Sequence, residues 1–158
     1  MTDPSVQFVA MTRAHIDELM RFEQDMFGSE AWSAQAYREE IADRRHRYYL
    51  AAQAPDGGLL GWAGLRVIGD MAEILTVGVI PAARRQGLGA RLVAELIDEA
   101  RRREAVEMFL DVRVDNEDAQ RIYHRAGFAT VGRRRGYYDN GRTDSLTMFL
   151  RIAAVPTR

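Results

Sequence analysis

Neither cysteine nor lysine occurs in this 158-residue sequence. The first absence excludes disulfides, thiolate metal sites and a cysteine nucleophile. Histidine is scarce as well, and His15, His46 and His124 are too scattered to build a metal centre, so no metal is expected. Because lysine is missing, all 22 basic residues are arginine, and the one aliphatic amine of the chain is its own N-terminus. Long apolar runs are missing too: none reaches the roughly eighteen residues of a membrane-spanning helix. The start Met1-Thr2-Asp3-Pro4 lacks the basic and apolar regions of a signal peptide. A soluble, cytoplasmic protein without membrane contact is the expectation.

What is present suits one compact domain over residues 1–158, with 47% hydrophobic content to close a core. Arginines cluster at Arg44, Arg45 and Arg47, at Arg84 and Arg85, at Arg101 to Arg103 and at Arg133 to Arg135. Such clusters can bind phosphates or RNA. A net charge of −1 gives no strong overall field, however, and solvated surface charge is the simpler reading, so no direct nucleic-acid binding is predicted.

Periodicity and turn residues give the order β-α-α-β-β-β-α-β-α-β-β. A strand near Gln7 to Ala10 precedes Thr12, an N-cap for a helix carrying Ile16, Leu19, Met20 and Met26. Ser33 caps a second helix to about Asp43. Tyr48 to Ala54 and Leu59 to Val67 read as a hairpin around Pro55-Asp56-Gly57-Gly58. Glu73 to Val79 is β-rich, and Leu88, Leu92, Leu96 and Ala100 share one helical face up to about Arg103. Met108 to Val114 alternates like a half-buried strand, Asn116 caps a short helix ended by Gly127, and strands near Phe128 to Arg134 and Ser145 to Ile152 close the chain. Without repeats or linkers, these elements are expected to share one mixed sheet.

The most informative segment is a strand that runs into Arg84-Arg85-Gln86-Gly87-Leu88-Gly89-Ala90 at a helix start. Unpaired amides and the positive end of the helix dipole make such a turn an anion site, and Gly87 and Gly89 allow close approach. Neither a lysine-bearing phosphate loop nor a dinucleotide fingerprint fits the spacing, so a carrier such as coenzyme A suits better. Two glycines before a helix also describe an ordinary tight turn. Gly78 sharpens the case, since glycine within a strand marks a bulge or a close approach.

Here the sequence resembles the GNAT superfamily of N-acetyltransferases. Its pyrophosphate signature, Arg/Gln-x-x-Gly-x-Gly/Ala, matches Gln86 to Ala90 with Arg84 and Arg85 ahead, and Asn116 to Phe128 matches the family segment Asn-x-x-Ala-x-x-x-Tyr-x-x-x-Gly-Phe. The resemblance implies an α/β fold with a single mixed, largely antiparallel sheet flanked by helices. It further implies a splayed, bulged strand whose backbone at Val77, Gly78 and Val79 holds the pantetheine of acetyl-CoA. Three stretches resemble the RimI-type branch, which acetylates protein α-amines. These are Glu30-Ala31-Trp32-Ser33, with Ala31 where the branch carries proline, Leu110 to Asn116, and Arg134-Arg135-Gly136-Tyr137-Tyr138, read as a loop, with Asp144 after it. Peptide-site roles follow for Trp32, Tyr137 and Tyr138, although buried aromatics are more often core.

Amine acetylation needs a neutral nucleophile and a proton for the departing thiolate. The resemblance puts Asp111 where the branch carries a catalytic glutamate, makes Glu73 a second candidate base, and makes Tyr123 the acid. Asp111 is one methylene shorter, so a bridging water is expected; alternatively it only orients Arg113 or Arg135. Tyr123 on an apolar face is ordinarily core. Asn116 is expected to cap its helix and bond the pantetheine. The implied acceptor is a protein N-terminus, an alanine of a small-subunit ribosomal protein. The alternatives are a lysine or small-amine acetyltransferase, a non-catalytic acyl-CoA sensor, or a ribosome-binding module.

Overall fold

The computed structural model describes residues 3–152; Met1, Thr2 and residues 153–158 of the expected 1–158 domain lie outside the described residues. The elements are β1 (Gln7–Ala10), α1 (Arg13–Phe27), α2 (Ala34–Ala42), β2 (Arg47–Gln53), β3 (Leu59–Ile68), β4 (Met71–Val79), α3 (Leu88–Arg102), β5 (Glu107–Arg113), α4 (Glu117–Arg125), β6 (Ala129–Tyr138) and β7 (Thr143–Arg151). This is the order read from the sequence. Thr12, Ser33 and Asn116 cap α1, α2 and α4, accepting from the amides of His15, Ala36 and Ala119.

The strands form one seven-stranded sheet in the order β1-β2-β3-β4-β5-β7-β6, antiparallel except between β4 and β5. That parallel pair follows from α3, which carries the chain back across the sheet as a crossover helix. On one face Leu92 and Leu96 of α3 and Tyr123 of α4 pack on Leu65, Ile74, Met108 and Leu110. On the other, Ile16 and Leu19 of α1 and Tyr37 of α2 pack on Tyr49, Ala51 and Trp62. Each fully buried leucine here contributes roughly 1.5–3 kcal/mol. Among the described residues no helix is long and apolar enough to cross a membrane.

A bulge in β4 decides which side chains reach which face. Gly64 pairs with Thr76 but Leu65 with Ile74, which leaves Leu75 as the extra residue. Ala72 and Ile74 before it, and Val77 and Val79 after it, all join the core under α3, because one inserted residue inverts the alternation. The irregularity expected at Gly78 therefore lies at Leu75. Gly78 pairs in register with Trp62, and a Cβ there would sit 2.8 Å from the Trp62 ring, so glycine is required by packing.

β6 is longer than expected. The Arg134 to Tyr138 segment, read as a loop, is its end, paired irregularly with β7. Gly136 turns there at φ +62° and donates its amide to the Asp144 carboxylate at 2.8 Å, which secures the irregular stretch.

Candidate active site

β4 and β5 pair only where Met71, Ala72 and Glu73 meet Glu107, Met108 and Phe109. Two residues after Glu73 the bulge bends β4 away, and the strands diverge. Backbone groups on the facing edges lose their ladder partners there, and a cleft of about 590 Å³ opens between them. This is the splayed strand that the resemblance implied.

Alternation brings the candidate groups to this cleft from opposite faces of the sheet. Met108, Leu110 and Val112 of β5 point into the α3/α4 core, so Asp111 and Arg113 face the α1/α2 side. Glu73 shares that side with Arg66 of β3, its ion-pair partner. Tyr123 approaches from α4, in the opposite core. Glu73, Asp111 and Tyr123 all line the cleft, together with Trp32, Val77 and Asn116. Tyr137 and Tyr138 reach it from the end of β6.

The surroundings of these groups differ. Asp111 accepts from Thr147 Oγ1 at 2.8 Å and lies 3.9 Å from Arg134 Nε, so its neighbour is neither Arg113 nor Arg135. Tyr123 is 8% exposed. Burial above all, then the nearby Tyr138, pushes its pKa far above the usual phenol value, and no hydrogen bond contributes to that shift. Trp32 packs against Tyr37 at 5.0 Å centroid separation, the rings tilted by 46°, while lining the cleft, so it is both core and wall. Asn116 spends its side-chain oxygen on the α4 cap at 3.1 Å.

Glu23 is a cleft residue that the sequence reading passed over. It is 2% exposed and accepts from the Tyr37 hydroxyl at 2.6 Å and the Trp32 amide at 3.0 Å, while Trp62 Nε1 donates to Tyr37 at 3.2 Å. Desolvation raises its pKa against the opposing pull of those hydrogen bonds. The signal was present: Ile16, Leu19, Glu23 and Met26 follow helical spacing, which puts an acid on an apolar stripe.

Beyond the cleft, β4 continues through Gly78 and Val79 to the loop before α3. Gly87 takes the N-cap position at φ +76°, and the first helical bond, from Arg91 to the Gly87 carbonyl, leaves the amides of Leu88, Gly89 and Ala90 without intrahelical acceptors. Arg84, Arg85, Gln86 and Ala90 are exposed around this end, whereas the Leu88 side chain is buried. Arg84 Nε donates to the Val79 carbonyl at 3.1 Å, and Arg85 holds φ +63°, a conformation that costs a non-glycine residue about 1 kcal/mol. Gly89 also meets a packing demand, since a Cβ there would sit 2.9 Å from Ile122 Cδ1 of α4. Its amide still faces the anion-favouring end of the helix.

Comparison with known proteins agrees with this geometry. Residues 16–128 match the family model described as the acetyltransferase (GNAT) family. The N-alpha-acetyltransferase RimI of Mycobacterium tuberculosis is 37% identical over 152 residues, covering 93% of this chain and 92% of that protein. The ribosomal protein bS18-alanine N-acetyltransferase of Escherichia coli is 32% identical over 124 residues, covering 77% of this chain and 82% of its own length. The crystal structure of the Escherichia coli ribosomal-protein-S18-alanine N-acetyltransferase superposes with a TM-score of 0.83 at 26% identity over 96% of both chains. A spermidine N-acetyltransferase from Vibrio cholerae, solved with CoA and spermine, shares the fold at a TM-score of 0.80 and 17% identity, over 95% of this chain and 97% of that one.

Proposed function

This chain belongs to the acetyltransferase (GNAT) family, on its RimI-type branch, and from that membership we propose that it acetylates the N-terminal α-amine of a protein. Acetyl-CoA supplies the acyl group as a thioester. The names of the relatives point to an alanine of ribosomal protein S18 as the acceptor. Residues 1–158 would then form one cytoplasmic acetyltransferase domain that works without a metal.

The carrying observation is the division of the cleft between the two faces of the sheet. Asp111 and Glu73 stand on the α1/α2 face, beside Trp32, Tyr137 and Tyr138, and Tyr123 stands on the α3/α4 face, the face of the anion-favouring helix end. The carrier suits the second face: amides of Leu88, Gly89 and Ala90 with Arg84 and Arg85 for the pyrophosphate, and, for the pantetheine, the β4 edge at Val77 to Val79 that no longer pairs with β5. The acceptor amine enters from the first. Asp111, one oxygen held by Thr147, takes the amine proton directly or through water, and Tyr123 gives its proton to the departing sulfur. Among the described residues the cleft lining carries four carboxylates, Glu23, Glu30, Glu73 and Asp111, and one arginine, with Arg66 paired to Glu73 and Arg134 beside Asp111 just outside it; the remaining excess of acid favours an ammonium over an anion.

A peptide panel tests the reading. Peptides with a free N-terminal alanine should be acetylated, and the same peptides blocked at the N-terminus but carrying lysine should not. Faster transfer to the blocked lysine peptides, or to polyamines, would overturn the α-amine assignment.

A further inference from the structure

We propose that Arg113 is a positioning residue that fixes the width of the acceptor side of the cleft by fastening two separate segments to β5. The proposal rests on the reading that the acceptor enters on the α1/α2 face. Arg113 follows Asp111 by two residues and points to the same side. Its guanidinium donates to Glu30 at 2.7 Å, to both oxygens of Asp115 at 2.9 and 3.0 Å, and to Asp139 at 2.6 Å. Glu30 belongs to the turn between α1 and α2 that leads into Trp32, and Asp139 to the turn between β6 and β7 that follows Tyr138. The same guanidinium lies 5.4 Å from the centroid of the Tyr138 ring.

The two segments also touch directly, since Ser29 Oγ donates to Asp139 at 3.1 Å, while Thr143 Oγ1 donates to the same carboxylate at 2.7 Å. Asp139 and Asn140 hold φ values of +55° and +53°, strained for non-glycine residues, so the turn needs an anchor. Arg113, Glu30 and Asp139 are between 27% and 29% exposed, and one ion pair at that exposure would stabilise little. A planar fork that satisfies three carboxylates at once is different, because each contact is made at little further entropic cost after the first. Lysine has no such fork.

Charge alone would give the opposite result. Among the described residues Arg113 is the one cationic side chain that lines the cleft, and replacing it with a neutral residue makes the mouth more acidic, which by itself would improve capture of an ammonium. Poorer acceptor use on its removal therefore reports geometry.

The test compares wild type, Arg113→Gln, Arg113→Lys and the double variant Glu30→Gln/Asp139→Asn in the full chain. Acceptor KM and kcat, calorimetric affinity for acetyl-CoA, and hydrogen exchange of amides in segments 28–33 and 136–143 are measured. For Arg113→Gln we expect acceptor KM to rise about tenfold or more, acetyl-CoA affinity to change less than about twofold, and exchange to quicken in both segments together. Arg113→Lys should not rescue it, and the double variant, which also removes the Glu30 charge and is therefore read by exchange alone, should show faster exchange in both segments if Arg113→Gln fails to fold. Exchange that stays unchanged or quickens in one segment only overturns the proposal, as does an acetyl-CoA affinity that falls in step with acceptor KM. If wild type prefers blocked lysine peptides, the α-amine reading fails separately; the Arg113 variants are then scored on that acceptor and by exchange.

Discussion

Asp111 and Tyr123 reach the same cleft from opposite faces, so their removal should fail in different ways. Asp111→Asn should lower kcat roughly 10²-fold or more at neutral pH, the usual scale for loss of a general base. Raising the pH toward the α-amine pKa of about 8 supplies neutral amine without help and should restore part of the rate. Tyr123→Phe should lose a similar factor with no such rescue, because what it lacks is a proton for the leaving sulfur. Its melting temperature should stay close to wild type, since among the described residues no hydrogen bond adds to the shift at the Tyr123 hydroxyl and the ring is retained. Glu73→Gln should cost less than Asp111→Asn, because the Glu73 carboxylate is already engaged by Arg66. Full turnover in the Asp111→Asn/Glu73→Gln double variant at pH 7 would remove the carboxylate base from the mechanism and leave a site that only positions an amine.

At the level of elements, helices and strands with one apolar face were legible because periodicity records burial, and the three caps were legible because Thr12, Ser33 and Asn116 announce them. The bulge at Leu75 was not, since it exists only in the register between β3 and β4, and Gly78 drew attention for a reason that lies in the Trp62 ring. β6 was read short because it is an edge strand, exposed along most of its length, with arginines where an apolar alternation would have marked it. Glu23 was hidden by its helix, and it supplies a prediction at this scale. Its folded pKa is raised by burial, so the folded state holds its proton more tightly than the unfolded chain does. Stability should then fall as pH climbs from the unfolded glutamate pKa of about 4.3 to the raised folded value, with the whole penalty present above it. Glu23→Gln should flatten that slope. Melting curves between about pH 4 and 8 measure it, and parallel profiles for variant and wild type would show that Glu23 does not titrate differently on folding.

For the whole molecule, the want of lysine makes the chain a clean instrument for its own chemistry. After incubation with acetyl-CoA, stable acetylation of the protein itself is limited to its N-terminus, so any further signal belongs to the acceptor. Binding and acceptor choice can then be read separately. If the end of α3 holds the carrier, acetyl-CoA at about 100 times its Kd should stabilise the fold by about 2.7 kcal/mol, or roughly 5–10 °C for a chain of this size. Gly87→Val should abolish the shift, because φ +76° is closed to valine and the amides it precedes would turn away. Acceptor choice shows in the pH dependence of kcat/KM. An α-amine with a pKa near 8 is about a tenth neutral at pH 7, whereas a lysine near 10.4 is a few hundredfold less so. With an α-amine acceptor, kcat/KM should therefore climb through pH 7 and level off near pH 8. With lysine it should keep climbing about tenfold per unit through pH 9, unless the enzyme removes the proton itself. A plateau near pH 8 for alanine peptides, kept in Glu73→Gln and steepened below it in Asp111→Asn, would identify the titrating group as the acceptor amine. A plateau that moves with either carboxylate substitution would identify it as the enzyme's own base.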